Sequence, residues 1–226
     1  MPNHVNNTLA VEGDPKLVQD FINKATENGK TEFSFQNLYP MPDELKIRSG
    51  SAISNAVDYY KCISGDIDTL NKWCSYECIK VYFPKLADLG EMRSIVIGYM
   101  LEDLDNEDLY EGSLAISNMQ KYGCQDWYSW RNKHWGTKWD CYDVEDTFCD
   151  STNKDGIREA YWNFDTAWDM PRGLIRYLTR QFPELVFDIE SKCESGWKEH
   201  LKMIDARIIY SEYIESTYED EYKEDA

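Results

Sequence analysis

The sequence predicts an α+β fold, with helices laid against one face of an antiparallel sheet. Three features predict it. Strand–helix–strand patterns stand at both ends of the chain, and the middle repeats apolar residues at helical rather than alternating intervals. The third is that 42% of the 226 residues are apolar and 14% aromatic, ample for a packed core.

Taken in order, "VNNTLAVE" (5–12) alternates well enough for a strand. "GDPKLVQDFINKATENGK" then reads as a helix, with Asp14 as N-cap, Pro15 at the first helical position and Gly29 at the exit. Leu17, Val18, Phe21, Ile22 and Ala25 recur at three and four, which makes one buried stripe. "TEFSF" (31–35) follows as a second strand, ended by the prolines of "NLYPMPDEL". From about Lys46 to Gly123 four segments have helical period: "SAISNAVDYYKCI", "DTLNKWCSYECIKVYF", "EMRSIVIGYMLEDL" and "LYEGSLAISNMQKY". The acidic "EDLDNEDLYE" between the last two reads as a solvated helix end or loop.

A matching unit closes the chain. "AYWNFDTAW" (160–168) is an aromatic strand, and "MPRGLIRYLTRQFP" a short helix with Asp169 placed to cap it and Pro171 in its first turn. "ELVFDIES" is a strand in which Leu185, Phe187 and Ile189 alternate, and "KMIDARIIYSEYIES" supplies one more, alternating over Ile204, Ala206, Ile208 and Tyr210. Two such units around a long middle are the split pattern of a ferredoxin-like sandwich. The chain divides into 1–45 (first β-α-β unit), 46–123 (helical insertion), 124–212 (tryptophan-rich segment and second β-α-β unit of the same domain) and 213–226 (an acidic tail that frays beyond about Tyr218).

Charge narrows the function. Forty-two acids against 24 bases give a net charge of −18, a field that repels phosphates, so direct nucleic acid binding is disfavoured and a partner with a basic surface is expected. No run of eighteen apolar residues suits a membrane span, and "MPNHVNNTLAVEG" has neither a basic leader nor an apolar signal core, so a cytoplasmic protein is expected. The seven cysteines lack C-x-x-C and zinc-site spacing, which suggests buried free thiols, with no metal and no cofactor. His4, His134 and His200 lie in separate segments, and phosphate-loop, dinucleotide and nucleophile-elbow motifs are lacking, so no catalytic residue is assigned.

Two sets of residues are candidates for a site. The first is acidic: Glu102, Asp103, Asp105, Glu107, Asp108 and Glu111 in the run before Gly112, with Glu219, Asp220 and Glu221 in the tail. Such carboxylates could occupy a basic groove as phosphates do. The second is "DWYSWRNKHWGTKWDCYD" (126–143). There Trp127, Trp130, Arg131, His134, Trp135, Lys138 and Trp139 offer a ligand or nucleotide pocket with aromatic walls and cationic donors. The same residues read first of all as ballast for an irregular crossing, with Gly136 marking a turn, because each indole can bury on the order of 200 Å².

Several blocks carry a family resemblance: "MPNHVNNTLAVEGD", "FSFQNLYPMPDEL", "WYSWRNKHWGTKWD" and "FDTAWDMPRGLIRYLTRQFPELVFDIE". In that order they resemble the YubB-like ferredoxin-fold family of plasmids and bacteriophages. Departures are His4 and Val5, where the family tends to have tryptophan and cysteine, the shortened Gly196–Trp197 turn, the larger helical insertion and the acidic ending. The resemblance implies a ferredoxin-like topology without an iron–sulfur cluster, a phage setting and no catalytic residues to carry over. The leading expectation is therefore a non-enzymatic, phage-encoded viral protein that inhibits a host protein. The target would be a defence or nucleic-acid-binding complex in the host cytoplasm, met by DNA mimicry of the anti-defence or anti-CRISPR kind. The alternatives are a small-ligand or nucleotide-binding protein or cryptic enzyme using the tryptophan segment, and a phage structural or assembly component.

Overall fold

A computed structural model of the protein describes residues 3–26, 33–76, 79, 88–145 and 149–215. The fold is α+β, built on a six-stranded, fully antiparallel sheet. The chain forms two compact units, Pro42–Trp130 and the remainder (Met1–Met41 with Arg131–Ala226).

In the sheet unit, β1 (His4–Gly13) is central, with Val5, Leu9 and Val11 fully buried on one face. The strand order is β2-β3-β1-β4-β5-β6, with β2 Cys149–Thr152, β3 Arg158–Ala167, β4 Val186–Cys193, β5 Trp197–Ile204 and β6 Arg207–Glu215. β3 and β4 both run antiparallel to β1 and flank it, so they are parallel to each other with β1 between. Helix α8 (Arg172–Gln181) joins them, which makes a split β-α-β unit.

Helix α1 (Pro15–Ala25) starts where the sequence places it. Asp14 accepts from the Lys16 and Leu17 amides, Pro15 takes the first position, and Val18, Phe21, Ile22 and Ala25 are buried. Phe21 packs edge-on against Trp162, Phe182 and Phe187, at the centre of an aromatic core.

Three expectations are corrected in this unit. The "TEFSF" strand is not formed over its described residues: Phe33 makes an isolated bridge with Thr26, and Phe35–Leu38 is a single helical turn, α2. Its cause is a pair of side chains, since the Ser34 hydroxyl accepts from the Gln36 amide and Asp140 accepts from Phe35 and Gln36. Phe35 and Leu38, three apart, then enter the core together. Asp169 does not cap α8, whose N-cap is Pro171; its carboxylate instead meets Arg172 at 2.6 Å, i to i+3. The stretch from Lys202 is not one strand but a hairpin. Asp205 and Ala206, both at positive φ (48° and 57°), reverse the chain between β5 and β6 in the manner of a primed turn.

The helical unit contains, among its described residues, α3 (Ser51–Ile63), α4 (Ile67–Cys74), α5 (Leu89–Asp103) and α6 (Asn106–Tyr122), with a 3-10 turn at Asp43–Leu45. Gly112 allows α6 to lie against α3, since a Cβ there would stand 2.5 Å from that of Ala56. Leu70, Trp73, Val96, Met100 and Leu104 form this unit's core with Ala56 and Cys62. Helix α7 (Trp127–His134) spans the division between the units, which falls after Trp130. Among the described residues no helix is long and apolar enough to cross a membrane.

Candidate functional site

The acid run lies at one corner of the helical unit. Glu102 and Asp103 end α5 and are exposed, Leu104 turns inward, and Asp105 opens α6. The run is thus not a loop but the end of one helix and the first turns of the next. Asp105 and Asp108 form a reciprocal capping box: Asp105 accepts from the Asp108 amide at 2.8 Å, and Asp108 from the Asp105 amide at 3.1 Å. That amide contact holds the Asp105 carboxyl below its ordinary value.

Among the described residues one cation enters the group. The Arg48 guanidinium bonds Glu111 at 2.6 Å, reaches Asp108 at 3.1 Å and stands 3.9 Å from Glu107. Bonding to Glu111 raises the arginine's own pKa. Asp105, Asp108 and Glu111 are therefore committed to fixing the corner, while Glu102, Asp103 and Glu107 project from it. The tail acids Glu219, Asp220 and Glu221 lie outside the described residues.

The tryptophan segment is divided between the units: Trp127 and Trp130 fall in the helical one, and Arg131, His134, Trp135, Lys138 and Trp139 in the other. Trp130 is buried, and Trp127 is half-buried with its ring edge-on to Tyr128. In the sheet unit Trp135 is fully buried against Phe35, and its indole N–H donates to the Tyr39 carbonyl at 2.9 Å. Arg131 lies over the Trp135 ring and Lys138 over that of Trp139. His134 Nδ1 is 2.7 Å from the Tyr39 hydroxyl, and Tyr39 stacks on Tyr177 at 3.7 Å. Burial, and then Lys133, lower the His134 pKa.

The backbone explains the glycines here. Gly136, at φ 89°, ends the turn after α7 and sits against the start of α8, where Leu174 N–H donates to the Trp135 carbonyl. A Cβ on Gly136 would stand 3.1 Å from the Gly173 nitrogen, and one on Gly173 only 2.5 Å from the His134 carbonyl oxygen. The two segments touch through bare backbone. Asp140 completes the crossing: besides its bonds to α2 it accepts from the Ser34 hydroxyl and the Cys141 amide. In this unit Trp135 is directed into the fold, while Arg131, His134, Lys138 and Trp139 are half-buried.

Sequence reasoning missed other polar groups. Asn7, fully buried on β1, donates to the carbonyls of Val5 and Phe164 and to Thr166 Oγ1, and accepts from Ser191 Oγ at 2.6 Å, linking three strands. Arg172 bonds Asp169 and the buried Glu199. On the sheet face opposite the core, Asp188 receives both His200 (2.6 Å) and Lys202 (2.7 Å). A cleft of about 570 Å³ along α3 and α6 is lined by Val57, Tyr60, Lys61, Asp66, Ile116 and Met119, none of them singled out by the sequence. Trp168 is half exposed on positive-φ backbone. None of these follows a motif, and only the contact order of the fold brings them together.

Cys62, Cys74 and Cys141 are poor nucleophiles. Burial, helped by Asp58, pushes Cys62 up to about 11, and burial raises Cys74 and, with Asp140, Cys141. The three histidines stay apart, on Tyr142, Tyr39 and Asp188 respectively. Among the described residues no three His, Cys, Asp or Glu side chains gather as metal ligands do.

No protein-family model matches the sequence, and a comparison with curated proteins finds no match. Among solved structures, the chain is similar to the crystal structure of a protein api92 from Yersinia pseudotuberculosis, of family DUF1281. The TM-score is 0.43 and the identity 9%, over 96% of this chain and 99% of that one.

Proposed function

We propose that the protein acts by binding rather than catalysis, presenting the α5–α6 corner to a basic surface on another protein. One observation carries this reading: of the six acids from Glu102 to Glu111, Glu107, Asp108 and Glu111 share one guanidinium, Arg48, and among the described residues no other cation pairs with the run. The capping box and the arginine hold the helix junction rigid, so Glu102, Asp103 and Glu107 need little further ordering on association. The net charge of −18 speeds encounter with a basic partner and repels nucleic acid. On this reading the partner is a host protein with a groove that ordinarily holds nucleic acid. Occupation of that groove inhibits it, as the expected phage setting suggests.

The test is affinity capture from host lysate across a salt series, comparing wild type with the triple variant Glu102→Gln, Asp103→Asn, Glu107→Gln. Wild type is expected to retain a basic, nucleic-acid-binding protein at low salt and release it as salt rises, and the variant to lose it. Equal retention by the variant, or retention indifferent to salt, would overturn the reading.

A further inference from the structure

The two sides of the sheet end differently. Beyond β3 lie the four-residue β2 and the Tyr142–Glu145 segment, whose backbone bonds to Asn163 and Asp165 occupy the outer side of that strand. At the other side, β6 is nine residues long, every one exposed, and no described strand pairs with its outer edge. Ile208, Ile209, Tyr210, Tyr213 and Ile214 each leave between 42% and 56% of their surface in solvent. Proteins usually blunt such an edge with lysine, proline or a very short strand. Here the devices are one bulge at Ile209 and two glutamates.

We propose that β6 pairs antiparallel with β6 of a second copy, with Ser211 on the two-fold axis. The order of residues favours a second copy of this chain as occupant. Arg207 stands at one end of the strand and Glu215 at the other, so antiparallel copies bring each guanidinium toward the other's carboxylate end. With Ser211 facing itself, Tyr210 comes opposite Glu212 of the partner copy, twice. Tyr213 meets Ile209, which the bulge leaves without a partner on β5, and Ile214 meets Ile208. These are aromatic–aliphatic, aliphatic–aliphatic and hydroxyl–carboxylate pairs. Centring the axis on Glu212 would instead oppose two like charges, and a shift by a single residue would turn every side chain to the wrong face.

Sedimentation of the full-length chain over a concentration series tests the proposal. A monomer–dimer equilibrium is expected that tightens as salt rises, because two chains of −18 repel. That is the opposite sense to capture of a basic partner. Tyr213→Lys should weaken dimerisation about tenfold or more. Ser211→Cys should give a covalent dimer on mild oxidation that the parent chain does not. A monomer throughout the series, or association indifferent to Tyr213→Lys, would overturn the interface. A dimer that Ser211→Cys fails to cross-link would overturn the register.

Discussion

The tryptophan segment and the β6 strand both carry large aromatic and aliphatic side chains close together, and they treat them oppositely. Around Trp135 the indole is fully buried, its N–H is satisfied by Tyr39, and two glycines press backbone against backbone. Along β6, five apolar residues stand in solvent on an edge with no described neighbour. Composition alone does not distinguish these roles. What decides is whether the backbone carries the side chains into a space that other elements close.

Emptying the buried side has the largest expected effect. Trp135→Ala is expected to cost about 3–5 kcal/mol of stability, read by denaturant unfolding followed by circular dichroism. Gly173→Ala should cost about 3 kcal/mol in the same assay, because the added methyl collides with the fixed His134 carbonyl rather than with a side chain that can rotate. Asp140→Ala, which strips the cap from α2 and leaves the Cys141 amide unbonded, should cost about 1–2 kcal/mol.

A subtler effect comes from pH. His134 has its folded pKa below the ordinary 6.5, so the unfolded chain takes up a proton that the folded one resists. Its contribution is full above 6.5 and is lost as pH falls through the lower folded value. Denaturation midpoints at pH 7.5 and 5.5 should therefore fall less in His134→Gln than in wild type.

The smallest expected change in stability is on the other side of the comparison. Tyr213→Ser on β6 should alter the unfolding free energy of the isolated chain by no more than about 0.5 kcal/mol while weakening self-association.

Much of the fold was legible because local rules act strongly there. Asp14 and Pro15 mark the start of α1, α3 spans the residues its period predicts, and the alternation of β1 and β4 matches the buried faces of those strands. Two kinds of failure remain, a partner distant in sequence and a turn without a local signal. Phe33 and Phe35 look like strand residues, yet Asp140, more than a hundred residues away, caps a helical turn beneath them. The turn at Asp205–Ala206 carries no Asn-Gly signal, so two strands read as one. In the acid run, charge was visible but the Arg48 contacts were not. Of the tryptophans, number and spacing could be read, whereas the direction of each indole needed the fold.

Amide hydrogen exchange on the full-length chain, followed across protein concentration, sets both regions against each other in one measurement. Amides of the Trp135 crossing, including those of Trp135 and Leu174, should be strongly protected at every concentration. Those of Arg207–Glu215 that point away from β5 should gain protection only as concentration rises. Fast exchange at the crossing, or β6 protection that ignores concentration, would contradict the account.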